Sequence, residues 1–167
     1  MFAYKIVMVG DFGVGKTSLV KRFVDNSFSE EYLSSIGVSM SKKQFTSSSD
    51  VQSTMILWDI EGKTEYKPIF KQYLTGAKAF IIVVDLTRPA TIDKIQEHIQ
   101  LCLESSKDAS IIIALNKCDL EIRLEQSLQE LQDLSPNILS VYKTSAKTGN
   151  AVNEIFNSIN ENVISKI

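Results

Sequence analysis

Only two cysteines, Cys102 and Cys118, occur in the 167 residues. They are too few for a disulfide framework, and their spacing matches no zinc site. A reducing compartment, the cytoplasm, is therefore expected. No apolar run approaches the roughly 18 residues that a membrane-spanning helix needs. The opening residues, MFAYK, carry no secretory signal. The closing residues, ISKI, contain no cysteine and so offer no prenylation box. Membrane contact is expected only through residues beyond Ile167 or through another anchor. Charge of one sign is scarce too. The formal net charge is −2, which leaves nucleic acid or a strongly anionic membrane without an electrostatic footprint. Histidine occurs once, as His98 in an amphipathic stretch; a surface place is expected for it rather than a catalytic one. There is no internal repeat and no long linker. The length suits one domain, residues 1–167, large enough to bury a core without staples.

What is present alternates. Apolar runs occur at Tyr4–Val9, Met55–Trp58, Ala79–Asp85, Ile111–Asn116 and Ile138–Tyr142. Several are continuous, as strands buried on both faces must be. Between them lie stretches of helical period. One is marked by Leu19, Val20, Phe23 and Val24, and another by Ile92, Ile95, Ile99 and Leu103. Leu124, Leu128, Leu131 and Leu134 mark a third. Val152, Ile155, Phe156, Ile159 and Val163 mark the last. Alternating strand and helix predicts a mainly parallel sheet covered on both sides. The serine run Ser47–Ser49 with Asp50 breaks the alternation and predicts a hairpin, hence one antiparallel edge strand.

Ligands of such sheets sit beyond the carboxyl ends of the strands. Residues 10–17, GDFGVGKT, follow the first strand and match G-x-x-x-x-G-K-[ST] between a strand and a helix. Glycine there permits backbone conformations that let several N–H groups converge on phosphate oxygens. The helix start adds its positive dipole end. Lys16 is placed to reach terminal phosphates, and the Thr17 hydroxyl to reach a magnesium ion. The candidate phosphate-binding residues are Asp11, Gly13, Val14, Gly15, Lys16, Thr17 and Ser18. The sequence Trp58-Asp59-Ile60-Glu61-Gly62 reads D-x-x-G. Asp59 is expected to hold magnesium through water, since Mg²⁺ gives up its waters reluctantly. Gly62 is expected to sense the third phosphate. Asn116-Lys117-Cys118-Asp119 reads N-K-x-D. Asp119 can accept both the ring N–H and the exocyclic amine of guanine, a pair that adenine does not present. Asn116 would tie neighbouring loops, and Lys117 would lay its stem over the base. In Thr144-Ser145-Ala146-Lys147, the Ala146 N–H would meet the guanine carbonyl, Lys147 would cover the base, and Ser145 belongs to the same loop. Asp85, at the end of its strand, is expected to be structural or turn-forming.

These elements, in this order, resemble the Ras superfamily of small GTPases over about residues 4–165. The segment Tyr32-Leu33-Ser34-Ser35-Ile36-Gly37-Val38 is most similar to the first switch of the Rab branch. The resemblance implies an α/β protein of the P-loop NTPase fold. Its six-stranded, mostly parallel sheet would have one antiparallel edge strand and helices on both faces. It implies GTP and GDP as ligands with Mg²⁺, held by Thr17, Ser35 and Asp59. It places Phe28 against the guanine. It also implies effector and regulator proteins at about residues 30–45 and 60–75.

Three departures carry information. The resemblance puts a glutamine after D-x-x-G, where it orients the attacking water; here Lys63 stands in that place and has only donors. Phe12 stands where the family has glycine or serine, beside the third phosphate. Ser39-Met40 replaces the Asp-Phe that ends the family's first switch. A GTP-binding switch with slow hydrolysis is expected, with Lys16 and Lys63 as its catalytic candidates. The competing expectation is a pseudo-GTPase that stays loaded with GTP.

Overall fold

A computed structural model describes residues 2–25, 38–60, 70–120, 124 and 126–167. The strands are β1 (Phe2–Val9), β2 (Val38–Thr46), β3 (Gln52–Ile60), β4 (Ala79–Asp85), β5 (Ser110–Asn116) and β6 (Ile138–Lys143). The helices are α1 (Lys16–Asp25), α2 (Phe70–Leu74), α3 (Pro89–Asp93), α4 (Ile95–Ser105), α5 (Leu128–Gln132) and α6 (Val152–Ser165). The sheet order is β2-β3-β1-β4-β5-β6. Among the described residues only β2 runs antiparallel, paired with β3 from Val38↔Ile60 to Thr46↔Gln52. The expected hairpin is therefore present, closed by the Ser47 N–H on Val51 O and the Asp50 N–H on Ser47 O. The mostly parallel six-stranded sheet with one antiparallel edge strand is the one the sequence predicts.

The continuous apolar runs have a simple cause. Successive strand residues face opposite sides, and both sides are covered. Ile6, Met8, Leu57, Ile81, Val83 and Ile112 join Leu19 and Phe23 of α1 and Ile155, Phe156 and Ile159 of α6. Val7, Val9, Ile82, Val84, Ile113 and Leu115 join Ile95, Ile99 and Cys102 of α4. Phe23 and Phe156 stack at 4.0 Å between ring centroids and fasten α1 to α6. β1 lies between β3 and β4, so its carboxyl end opens where successive connections leave in opposite directions.

Two helical stretches differ from the periodicity. The run through Ile92, Ile95, Ile99 and Leu103 is split at Lys94 into α3 and α4. The leucine run 124–134 forms only the short α5. Ser127 caps it by accepting the Glu130 N–H at 3.0 Å, so the helix begins after Leu124. Pro136 follows closely and bars helical backbone in the residue before it. Leu124 and Leu134 still reach the core, whereas Leu128 is exposed. A burial stripe at helical spacing is here supplied partly by non-helical chain. Among the described residues, no helix is long and apolar enough to cross a membrane.

Candidate nucleotide site

The loop between β1 and α1 is built around backbone that side chains would obstruct. Gly15 has φ +107°, and a Cβ placed on it would stand 2.2 Å from the Asn116 amide nitrogen. Gly10 is similarly confined, its imagined Cβ 2.3 Å from Val83 O. Asn116 is buried and donates to Val14 O at 2.9 Å, while Thr144 Oγ1 donates to its carbonyl at 3.1 Å. One amide thus joins the three loops that follow β1, β5 and β6. The expected loop-tying role of Asn116 matches this geometry. Gly15→Ala should strain the backbone and evict that amide, costing about 2–5 kcal/mol of stability. Urea unfolding of both proteins measures it, and an unchanged midpoint would refute this account of the junction.

Lys16 is buried, and its ammonium donates to Gly10 O and to Asp11 O. Thr17 Oγ1 donates to Asp59 Oδ2 at 2.5 Å. Asp59 is the penultimate residue of β3 and is buried. Burial pushes its pKa up; the Thr17 hydrogen bond and the Lys16 charge oppose the rise without cancelling it. A carboxylate touching a hydroxyl offers hard oxygen donors of the kind Mg²⁺ takes. Val14 is buried and Ser18 half-buried in the first turn of α1. N–H groups at such a helix start have no acceptor within the helix and are available to anions.

The base-reading candidates converge from the other side. Ser145 Oγ donates to Asp119 Oδ1 at 2.7 Å and orients a carboxylate that is otherwise exposed. The Cys118 N–H bonds to Thr144 O at 2.9 Å. Ala146 is buried, and its carbonyl accepts from Arg22 Nε at 2.8 Å. The exposed Lys147 offers its carbonyl to Arg22 Nη2 at 2.5 Å. Arg22 of α1 therefore holds the 144–147 loop, which no local motif signals. Lys117 has φ +67° and sends its ammonium to Asp85 Oδ2 at 2.6 Å and to Gly13 O at 3.4 Å. Phe28, Ser35, Gly62 and Lys63 lie outside the described residues.

The turn-forming role expected of Asp85 is met, and the surface place expected of His98 is corrected. Asp85 does form a turn, accepting from Thr87 N at 2.8 Å and Thr87 Oγ1 at 2.5 Å. Its buried carboxylate also binds Lys117 of the N-K-x-D loop and Arg88. Burial is the largest single influence and would raise its pKa, but the hydrogen bonds from Lys117, Thr87 and Arg88 together pull it below the ordinary value. His98 is buried instead of lying at the surface. It faces Asp11 at 3.5 Å. Burial lowers its pKa, against the pull of the Asp11 carboxylate, so the neutral ring is favoured. Lys94 approaches the same carboxylate at 3.4 Å.

Comparisons with known proteins supply a family for the chain. The model of the Ras family matches residues 5–165. The chain belongs to the Ras family. Curated relatives bear Rab names. Ras-related protein Rab-2B of Dictyostelium discoideum is 32% identical over 166 residues, covering 98% of this chain and 82% of that protein. Rab-13 of Canis lupus familiaris is 31% identical over 168 residues, 98% and 81%. RabC of Dictyostelium discoideum is 28% identical over 163 residues, 96% and 83%. This Ras-family member is a Rab-like small GTPase, a GTP-binding protein of the P-loop type.

Proposed function

We propose that this Rab-like protein, a single GTPase domain over residues 1–167, binds GTP and GDP with Mg²⁺ and hydrolyses GTP slowly. The observation that best supports the reading is the Asn116 bond to Val14 O, which locks a guanine-reading loop onto a phosphate-binding loop. Lys16 and the N–H groups of residues 13–18 would hold the phosphates. Asp119, Ser145, Ala146 and Lys147 would hold the base, with Phe28 against it and Lys117 beneath. Thr17, Asp59 and Ser35 would hold Mg²⁺, which when bound neutralises phosphate charge. Ser35 and Gly62 would be ordered by the third phosphate and released by its loss. Nucleotide released from the purified protein should be guanosine di- or triphosphate on chromatography; adenine nucleotide would overturn the reading.

Hydrolysis requires a water held opposite the leaving oxygen by a group that both accepts and donates. Lys63 only donates. Its charge would steady the reactant phosphate as well as the transition state, which gives no rate. Phe12 adds bulk where a partner's arginine would enter. Lys63→Gln with Phe12→Gly should therefore raise single-turnover GTP hydrolysis about 10-fold or more, roughly 1.4 kcal/mol of barrier. A wild-type rate equal to that of the double mutant would refute the assignment and turn attention to Glu61 or Thr64. The same two residues favour a second reading, a GTP-loaded scaffold with negligible turnover; an undetectable wild-type rate, with and without candidate activators, would select it.

Effectors and regulators would engage residues of about 30–45 and 60–75. The exposed Met40 on edge strand β2, with Ser39 beside it, gives this surface less acid than the Rab pattern has. The protein would work in the cytoplasm.

A further inference from the structure

The phosphate loop has an outer rim, and that rim is gripped from one side. Arg88, the residue before α3, donates from Nη2 to Phe12 O at 2.7 Å. The next carbonyl, Gly13 O, accepts from Lys117 at 3.4 Å. Both cations are held by one carboxylate oxygen: Asp85 Oδ2 takes Arg88 Nε at 3.0 Å and Lys117 Nζ at 2.6 Å. The other oxygen is occupied by Thr87. Asp85 is 1% exposed, against 45% for the Arg88 side chain. An anchored acid thus carries two cations that grip consecutive peptide units of the loop. A Cβ on Gly13 would make only an ordinary contact with Arg88 Nη2, at 3.5 Å, so it is the φ of +76° and not space that suits glycine there.

The consequence follows from peptide geometry. All peptide bonds are trans among the described residues, so the C=O and the N–H of one unit point to opposite sides. A carbonyl of residue 12 held outward on the Arg88 side turns the Gly13 N–H to the inner side of the loop. Free to rotate, that unit would swing its N–H away, because glycine at φ +76° has wide backbone freedom. Pre-orienting a donor removes an ordering cost from binding.

We propose that Arg88, anchored on Asp85, is a positioning residue that pins the Phe12 carbonyl and so aims the Gly13 N–H at the terminal phosphates of the bound nucleotide. The inference rests on the guanine-nucleotide reading above and adds to it the device that fixes the loop. Arg88 touches backbone and Asp85 and has no contact with the reacting atoms in this role. Its planar fork spans the two acceptors, Asp85 Oδ2 through Nε and Phe12 O through Nη2. A lysine ammonium is a single point charge and cannot reproduce that fork.

Release of a fluorescent GDP is timed first for the wild type and then for Arg88→Ala and Arg88→Lys, with GDP and GMP affinities measured by competition. Arg88→Ala should release GDP about tenfold faster, one hydrogen bond to a charged donor. The affinity loss should fall on GDP and spare GMP, which lacks the terminal phosphate. Arg88→Lys should lie between the two. GDP release at the wild-type rate from Arg88→Ala overturns the clamp. Equal losses for GDP and GMP also overturn it, since they would mark general loosening of the fold. A wild type that binds no guanine nucleotide overturns the underlying reading and the clamp with it, so the two failures are told apart by the first measurement.

Discussion

Replacing Lys16 with alanine should weaken binding of GTP and GDP by about two to four orders of magnitude while the chain stays folded. The side chain is buried and its ammonium is parked against the loop's own carbonyls, Gly10 O and Asp11 O. That placement holds the amino group inside the loop, poised for phosphate oxygens. Two charge-assisted hydrogen bonds are each worth about 1.5–3 kcal/mol. Their joint loss, about 3–6 kcal/mol, weakens binding by two to four orders of magnitude. The fold has less to lose, because Lys16 opens α1 and the core contacts of that helix come from Leu19, Val20 and Phe23. Calorimetric titration with GDP, beside a thermal melt, checks both halves. Binding within tenfold of the wild type would refute the placement of the phosphates over Lys16.

Asp119→Asn should cost guanine binding about 2–4 kcal/mol, or on the order of 30- to 1000-fold. The carboxylate accepts from Ser145 Oγ at 2.7 Å on one oxygen, a bond that fixes its orientation and leaves lone pairs for the base. Guanine offers two donors to this acceptor. An amide supplies one acceptor and one donor, so one bond is lost and a donor then faces a donor. The discrimination between GTP and ATP should fall in parallel, because it depends on the same pair of bonds. Competition of both nucleotides against a labelled GDP measures the two quantities together. Unchanged GTP affinity in the variant would overturn the base pocket, and an unchanged GTP-to-ATP ratio would remove Asp119 from its specificity.

The two variants probe opposite ends of one site, and the ends are mechanically joined. Asn116 bonds to Val14 O, Lys117 reaches Gly13 O, and Arg22 of the phosphate-loop helix carries the carbonyls of Ala146 and Lys147. The proposed base and phosphate subsites therefore share a scaffold. A change in one loop is expected to be felt in the other, and Gly15→Ala is the substitution that strikes the junction directly.

The sequence by itself determined the fold class and the identities of the principal candidate residues. Each of those signals is local. GDFGVGKT encodes its own backbone freedom, helix start, cation and hydroxyl within eight residues. Strands buried on both faces announce themselves as unbroken apolar runs, which is why the bounds Ala79–Asp85 were legible as they stand. The tertiary structure alone decided how polar groups far apart in the chain are paired. Asp85 meets Lys117 across 32 residues, Arg88 meets Phe12 across 76, and Arg22 meets Ala146 across 124. No spacing rule links such positions, because the pairing depends on which strands become neighbours. It also depends on how the loops at their carboxyl ends pack. His98 follows the same logic. Its helical period shows that one face of α4 is buried, but only the tertiary packing brings His98 on that face to Asp11. Leu124 and Leu134 teach the converse, since burial recurs there at helical spacing where a cap at Ser127 and the approach of Pro136 confine the helix to five residues.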